Sequence, residues 1–221
     1  MTNVAVFDMN ETTLDLAPVR AEVNRQLDNP DGFTIWFQKL LQLSMLSVVT
    51  DEYQNFSELA ASALTAVANT QMVELADDAM AGVGSAMAGI APYPDVVDGL
   101  TKLREAGWIT MALTNSSAAS VNAQVDANGL RPLFDHVVSV DEVGVFKPSP
   151  RVYEHAAKVA GAEASSMWMV AAHDWDLAAA RATGMHTAFV KRPHMVWAPS
   201  YPPADVNVVS FVELAEAFGK L

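Results

Sequence analysis

The 221-residue sequence contains no cysteine. That removes disulfide scaffolds, thiolate metal sites and a cysteine nucleophile together. Nowhere do 18 consecutive apolar residues occur, so no segment reads as membrane-spanning. Met1 to Phe7 is too short for a secretion signal and lacks its basic flank, which makes a cytoplasmic protein the expectation. Basic residues are scarce: 13 Lys and Arg stand against 26 Asp and Glu, a formal charge of −13. With no local basic patch, that balance repels nucleic acid and anionic membrane and points to a small-molecule partner. Apolar residues make up 51% and charged residues 18%, values of a chain that folds unaided as one domain or as a core with a smaller one attached.

Against that background the apolar runs have a clear shape. "VAVFD" from Val4 is β-rich and stops at an acid, as a buried parallel strand does. The same pattern returns in "WITMALTN" from Trp108, "HVVSVD" from His136, "SMWMVAA" from Ser166, "HTAFV" from His186 and "VNVVS" from Val206. Helical spacing fills the gaps over 95–105, 118–128, 150–160, 176–183 and 211–218. The alternation predicts an α/β fold with a parallel sheet and helices on both faces. Between Leu14 and Ala91 no strand is expected. Helical runs at 17–27, 34–48, 56–69 and 72–88 suggest an inserted bundle instead, with "GIAPYPDV" at 89–96 as the hinge back. The division expected is a core of residues 1–14 and 92–221 and an all-α cap of residues 15–91. "KRPHMVWAPSYPPAD" at 191–205 reads as a surface loop.

Open α/β sheets bind ligands beyond the carboxyl ends of their strands. Asp8, Thr114 with Asn115, and His173 to Asp176 all follow predicted strands and converge there. Asp8 is the sharpest candidate. A carboxylate is ionised at neutral pH, so it can attack carbon or phosphorus without an activating base and form an ester or an acyl phosphate. The bland alternative makes Asp8 a helix cap. His136, His155, His186 and His194 lack metal-ligand spacing.

"FDMNETTLD" from Phe7, "LTNSS" from Leu113, "GVFKPSPRVYEHA" from Gly144 and "VAAHDWDLAAARATG" from Val170 together resemble the four ordered motifs of the haloacid dehalogenase-like hydrolase superfamily. The chain is closest to its 2-haloacid dehalogenase branch. The resemblance implies a doubly wound, Rossmann-like core with a helical cap. It also implies Asp8 as covalent nucleophile, and Lys147 as the cation that keeps Asp8 ionised and neutralises the adduct. Asp176 would accept from Lys147 or orient the hydrolytic water. Phosphatases of the superfamily carry a second aspartate where Asn10 stands. It protonates a poor alkoxide leaving group. A halide needs no such proton, so Asn10 fits carbon–halogen cleavage better, although the related dehalogenases usually place tyrosine there. A Gly-Asp pair that helps bind Mg²⁺ in the phosphatases aligns with Ala171 and Ala172. No cofactor is therefore expected, with Mg²⁺ needed only if the chain is a phosphatase and with Asp174 as an extra acid.

His173 stands where dehalogenases often have asparagine, and could act as a base for water, donate to the departing halide, or simply cap a helix. Thr114 and Asn115 offer hydroxyl and backbone N–H groups to an anion. Thr12, Tyr153 and Trp175 match positions near the nucleophile. In the cap, "IWFQKLLQL" from Ile35 matches the pocket segment, which makes Gln38, Leu41 and later Phe56 substrate contacts. The family's arginine there is Phe37, so Lys39, Arg20 or Arg25 would have to replace it. The expected reaction is halide release from a small 2-haloalkanoic acid. A phosphatase and a non-catalytic anion-binding member are the alternatives, and a cap-mediated homodimer would accord with the resemblance.

Overall fold

The computed structural model describes residues 3–221. Two compact units divide the chain: Met1–Leu14 with Pro92–Leu221, and Asp15–Ala91. In chain order the elements are β1 (Val4–Phe7), β2 (Leu14–Asp15), α1 (Ala17–Gln26), α2 (Gly32–Thr50), α3 (Phe56–Gln71), α4 (Ala79–Ala88), β3 (Ala91–Pro92), α5 (Val96–Glu105), β4 (Ile109–Thr114), α6 (Ala118–Ala127), β5 (His136–Ser139), α7 (Pro150–Ala160), β6 (Met167–Ala171), α8 (Asp174–Ala182), β7 (His186–Val190), β8 (Val206–Val208) and α9 (Phe211–Phe218).

In the first unit six parallel strands run in the order β5-β4-β1-β6-β7-β8. From β1 the chain builds outward through β4 to β5, then returns to the other side of β1 and continues through β6 to β8. This reversal opens a crevice beyond the strand ends at β1. The central strand is apolar and buried at all four positions, because helices cover both of its faces. Its register sets Phe7 beside Ala112 on one side and Val170 on the other. Continued by one residue, that register puts Asp8 level with Leu113 and Ala171, so Asn115 and Ala172 lie two and one positions further along, each just past its strand. Beneath them Phe7 meets Phe211 edge to face at 5.2 Å. Gly99 lets α5 and α9 close up, since a Cβ there would lie 2.5 Å from the Phe211 main chain.

In the second unit α2 and α3 pack together, and α1 packs on α2 and α4. Trp36 is fully buried and its indole N–H donates to the Ala60 carbonyl at 2.9 Å. It is bundle core. The helix expected over 72–88 begins only at Ala79. Met72 takes a left-handed conformation that closes α3, and a chain leaving that conformation does not continue a right-handed helix. The two-residue strands β2 and β3, too short to show alternation, sit at the two chain crossings between the units.

Candidate active site

The loop after β1 is wound tightly enough to aim its own side chains back at Asp8. The Met9 carbonyl accepts from the N–H groups of Thr12, Thr13 and Leu14, at 3.3, 2.9 and 2.8 Å. Glu11 pays for this turn with a left-handed backbone at φ 59°. Thr12 then donates from Oγ1 to Asp8 Oδ2 at 2.7 Å and accepts from the Ala172 N–H at 2.9 Å. Thr13 Oγ1 donates to the Asp8 carbonyl at 2.7 Å. The nucleophile candidate is therefore oriented by hydroxyls that come from its own turn.

Lys147 supplies the charge. It is 1% exposed, and its Nζ donates to Asp8 Oδ1 at 2.8 Å, to Asp176 Oδ2 at 2.6 Å and to the Leu113 carbonyl at 3.2 Å. All three ammonium donors have acceptors, which is what makes burying a lysine tolerable. Its main chain is gripped as well: Asn115 Oδ1 accepts from the Lys147 N–H at 2.9 Å, and Asn115 Nδ2 donates to its carbonyl at 3.4 Å. Tyr153, also buried, donates from its hydroxyl to Asp176 Oδ1 at 2.6 Å.

Charge and burial compete at each of these groups. Burial would raise Asp8, but the charge of Lys147, the nearby His173 and the hydrogen bonds from Lys147 and Thr12 hold it below the usual carboxylate range. Burial raises Asp176, and the charge of Asp8 adds to that against the pull of Lys147. Burial would lower Lys147, yet Asp176 and Asp8 outweigh it and the ammonium is held above its ordinary range. Tyr153 is pushed well above its ordinary value by burial and then by Asp176.

These directions have a consequence for stability against pH. A depressed Asp8 contributes stability above its unfolded value that is lost as pH falls through its folded value. Asp176, being raised, contributes with the opposite sign in acid. Lys147 and Tyr153, both raised, contribute stability that is complete below their unfolded values, near 10, and is lost above. Denaturant midpoints measured across pH should show a shallow acid limb and a steep loss above about pH 10, and Tyr153→Phe should flatten part of the alkaline loss.

His173 occupies the N-terminal boundary of α8, but its side chain makes no capping hydrogen bond. Its Nε2 lies 3.3 Å from the Asn10 carbonyl oxygen and 3.8 Å from Asp8 Oδ2. Trp175 stacks on the ring at 5.5 Å and lies 6.0 Å from Lys147 Nζ. Asn10 donates from Nδ2 to Ser116 Oγ at 3.1 Å, while its buried Oδ1 has no hydrogen-bond partner. Thr114 Oγ1 accepts from the Ser116 N–H at 3.1 Å. Asp174 is engaged locally, accepting from the N–H groups of Trp175 and Ala198 at 2.8 and 2.9 Å. Among the described residues no group of three or more His, Asp or Glu side chains could hold a metal ion.

The structure thus joins Asp8, Thr12, Lys147, Tyr153, His173 and Asp176 in one connected cluster, with Asn10, Thr114, Asn115 and Trp175 against it. Gln38, Leu41 and Phe56 belong to the second unit. There Gln38 lines a cleft of about 500 Å³ between α2 and α3, with Lys39, Gln42 and Thr70. Phe37 stacks on Phe33 at 5.5 Å. The cations weighed as its substitutes have neighbours of their own: Arg20 lies 4.1 Å over Phe33, Arg25 pairs with Glu22 at 2.7 Å, and Lys39 donates to Gln42 at 2.9 Å.

Sequence reasoning missed Ser116, Ser139 and Arg192. Ser139 Oγ donates to the Ser116 carbonyl at 2.7 Å and fixes the turn after β4. Arg192, inside the segment read as a surface loop, is 6% exposed. It donates from Nε to the Thr12 carbonyl at 2.9 Å and grips Asp95 with Nη1 at 2.9 and 3.0 Å. Its place two residues past β7 was the available signal, by the same strand-end rule that marked Asp8. Arg192→Met takes the cation from the half-buried Asp95, which keeps the Phe211 N–H, and a donor from the buried Thr12 carbonyl, and should cost about 3 kcal/mol. A thermal melt should read that as a midpoint lower by roughly 6–12 °C.

A family model described as haloacid dehalogenase-like hydrolase matches residues 2–184. The (S)-2-haloacid dehalogenase of Pseudomonas sp. (strain YL) is 32% identical over 184 residues, which cover 83% of this chain and 79% of that one. A crystal structure of a dehalogenase with an intermediate complex aligns at 27% identity and a TM-score of 0.87, over 98% of this chain and 96% of that one. The L-2-haloacid dehalogenase of Xanthobacter autotrophicus, solved with chloropropionic acid covalently bound, shares the fold at 24% identity, with a TM-score of 0.88 over 99% and 98% of the two chains. An aspartate at the end of the central strand, a buried lysine that bridges it to a second aspartate, and a model match over most of the chain agree: this protein belongs to the haloacid dehalogenase-like hydrolases.

Proposed function

We propose that the protein is a hydrolase that cleaves the carbon–halogen bond of a small 2-haloalkanoic acid through an aspartyl ester. The observation that carries this is the combination at the nucleophile: a carboxylate held ionised by Lys147 and Thr12, with an amide at position 10 whose N–H is directed to Ser116. Asp8 is built to attack, and position 10 offers no acid to protonate a leaving alkoxide. Asp8 displaces halide from Cα with inversion. Water then attacks the ester carbonyl and releases a 2-hydroxy acid. Lys147 offsets the charge that develops on the Asp8 oxygens in the second step. Tyr153 and Asn115 act by holding Asp176 and Lys147 in place, and Trp175 lends an apolar wall in which a small acid is desolvated. The names of the relatives support the halide-releasing reading.

We assign the unit of residues 15–91 the role of a substrate-selecting cap. Gln38, Leu41 and Phe56 are the positions that the resemblance gives to substrate, and alanine at each should act on KM before kcat. The reaction is proposed to need no cofactor, and the protein to be cytoplasmic and a homodimer. No helix among the described residues is long and apolar enough to cross a membrane. The decisive test is halide release from chloroacetate, fluoroacetate and 2-chloropropionate in the presence of EDTA. Release that survives the chelator is expected. No halide from any of the three, together with Mg²⁺-dependent hydrolysis of p-nitrophenyl phosphate, would move the assignment to the phosphatases.

A further inference from the structure

We infer that Arg192 is a positioning residue for the nucleophile: it fixes the carbonyl of Thr12, and with it the hydroxyl that holds Asp8 in line for attack. The inference rests on the proposed dehalogenase reaction. It gives a part in that reaction to a buried arginine that lies beyond the residues matched by the family model.

The turn after β1 is anchored from two sides. Its N–H groups are held from within, since those of Thr12, Thr13 and Leu14 all donate to the Met9 carbonyl. Two of its carbonyls face outward: that of Thr13 accepts from the Tyr93 N–H at 3.1 Å, and that of Thr12 from Arg192 Nε at 2.9 Å. The outer hold matters because Glu11 keeps a left-handed backbone at φ 59°, a conformation that persists only where the surroundings impose it. Freed at the Thr12 carbonyl, the turn relaxes and the Thr12 hydroxyl loses its fixed distance to Asp8.

The anchor itself is rigid. Arg192 is buried, and its Nη1 meets both oxygens of Asp95 at 2.9 and 3.0 Å. Asp95 in turn accepts from the Phe211 N–H at 2.6 Å. Asp95 immediately precedes α5 and Phe211 opens α9, so the guanidinium is tied to the starts of two core helices. The rings of Tyr93 and Phe211 lie 4.2 and 5.1 Å from its central carbon and hold its plane. Nε and Nη1 belong to one planar group. Fixing Asp95 on one nitrogen therefore fixes where the other points its N–H.

The effect reaches Asp8 through a single residue. Thr12 Oγ1 donates to Asp8 Oδ2 at 2.7 Å and accepts from the Ala172 N–H at 2.9 Å, while Lys147 holds Asp8 Oδ1 at 2.8 Å. Gripped at both oxygens, the carboxylate keeps one orientation. Displacement at carbon needs an oxygen aimed along the carbon–halogen axis, and a misplacement of about 1 Å costs roughly 100-fold. No bond forms or breaks at Arg192.

The test measures kcat, KM and melting temperature with 2-chloropropionate as substrate, in wild type, Arg192→Met, Thr12→Val and the double variant. Each protein is assayed well below its own melt. Arg192→Met should lower kcat about 10- to 100-fold with KM within about threefold of wild type, and Thr12→Val should do the same. In the double variant the second change should add less than about twofold, because both act through one hydroxyl. Arg104→Met is the control. It removes an ion pair of 2.6 Å to Asp135, beside Thr110 at the start of β4 and away from Asp8. It should lower the melting temperature and keep kcat within about twofold of wild type. If Arg192→Met does not fold, Arg192→Lys takes its place with the same expected loss, keeping a cation beside Asp95 without the planar fork. A folded Arg192 variant with kcat within about twofold of wild type overturns the inference. Losses that multiply in the double variant overturn it too, as does an equal loss in Arg104→Met. In each of these cases wild type still releases halide and the dehalogenase reading stands. A wild type that releases none overturns that reading, and the inference with it.

Discussion

Asp8→Asn is expected to lower halide release from 2-chloropropionate by about four orders of magnitude or more, the scale on which loss of a covalent nucleophile is felt, without unfolding the protein. The amide keeps the shape of the carboxylate, so the hydrogen bond from Thr12 at 2.7 Å retains an acceptor. What disappears is the charge. A carboxamide does not displace halide from carbon, and no second carboxylate can stand in, because Asp176 is wholly buried behind Lys147 and Tyr153. Asp176 still balances Lys147 in the variant. A melting temperature within a few degrees of wild type is therefore expected alongside the loss of activity. Heavy-oxygen water adds an independent check: a single turnover of wild type should place solvent oxygen in the Asp8 side chain, and Asp8→Asn should take up none. Turnover by the amide variant at even a tenth of the wild-type rate would end the covalent mechanism.

Lys147→Met should damage folding and catalysis together. Without the ammonium, Asp8 and Asp176 become two buried carboxylates with no cation among the described residues within hydrogen-bonding distance, and breaking a buried pair in this manner costs about 3–5 kcal/mol. For a chain of this size that corresponds to a melting temperature lower by roughly 6–20 °C. The deficit should shrink as pH falls, because one of two adjacent carboxyls then takes up a proton. It should also shrink in Lys147→Met/Asp176→Asn, where one of the two charges is removed outright. The remaining activity of Lys147→Met should be about 100- to 1000-fold lower, the cost of removing one preorganised stabiliser of developing charge. A Lys147→Met protein that melts like wild type at neutral pH would show that the ammonium is not what keeps the two acids in place.

The buried groups of this cluster act on one another as a unit. Asp8 is held low and Asp176 is held high although both touch the same Nζ. The difference lies in the remaining partners. Asp8 is 5% exposed and has Thr12 and His173 beside it, whereas Asp176 is enclosed with Tyr153. One carboxylate is kept ready to react. The other stays with the lysine and the Tyr153 hydroxyl.

Much of this protein could be read along the chain. The strands from Val4, His136 and His186 and the helices over 150–160 and 211–218 stand where apolar periodicity placed them, because a strand buried on both faces must be apolar throughout and an amphipathic helix must repeat its apolar face. The candidate positions were readable too: Asp8, His173 and Asp176 follow strands, and strand ends converge in an open sheet. Helix α4 was overdrawn by seven residues, Met72 to Asp78, since nothing local marks Met72 as the left-handed residue that ends α3. Arg192 was passed over because its partners, Thr12 and Asp95, are 180 and 97 residues away. Periodicity and motif order are carried by neighbours in sequence, so the chain alone determined the α/β fold and the order of its elements, and it marked Asp8 as the candidate nucleophile. Which carboxylate keeps its charge, what Asn115 and Tyr153 hold, and where the histidine points depend on through-space distances among buried groups from distant segments, and only the folded sheet brings those groups within hydrogen-bond range of each other.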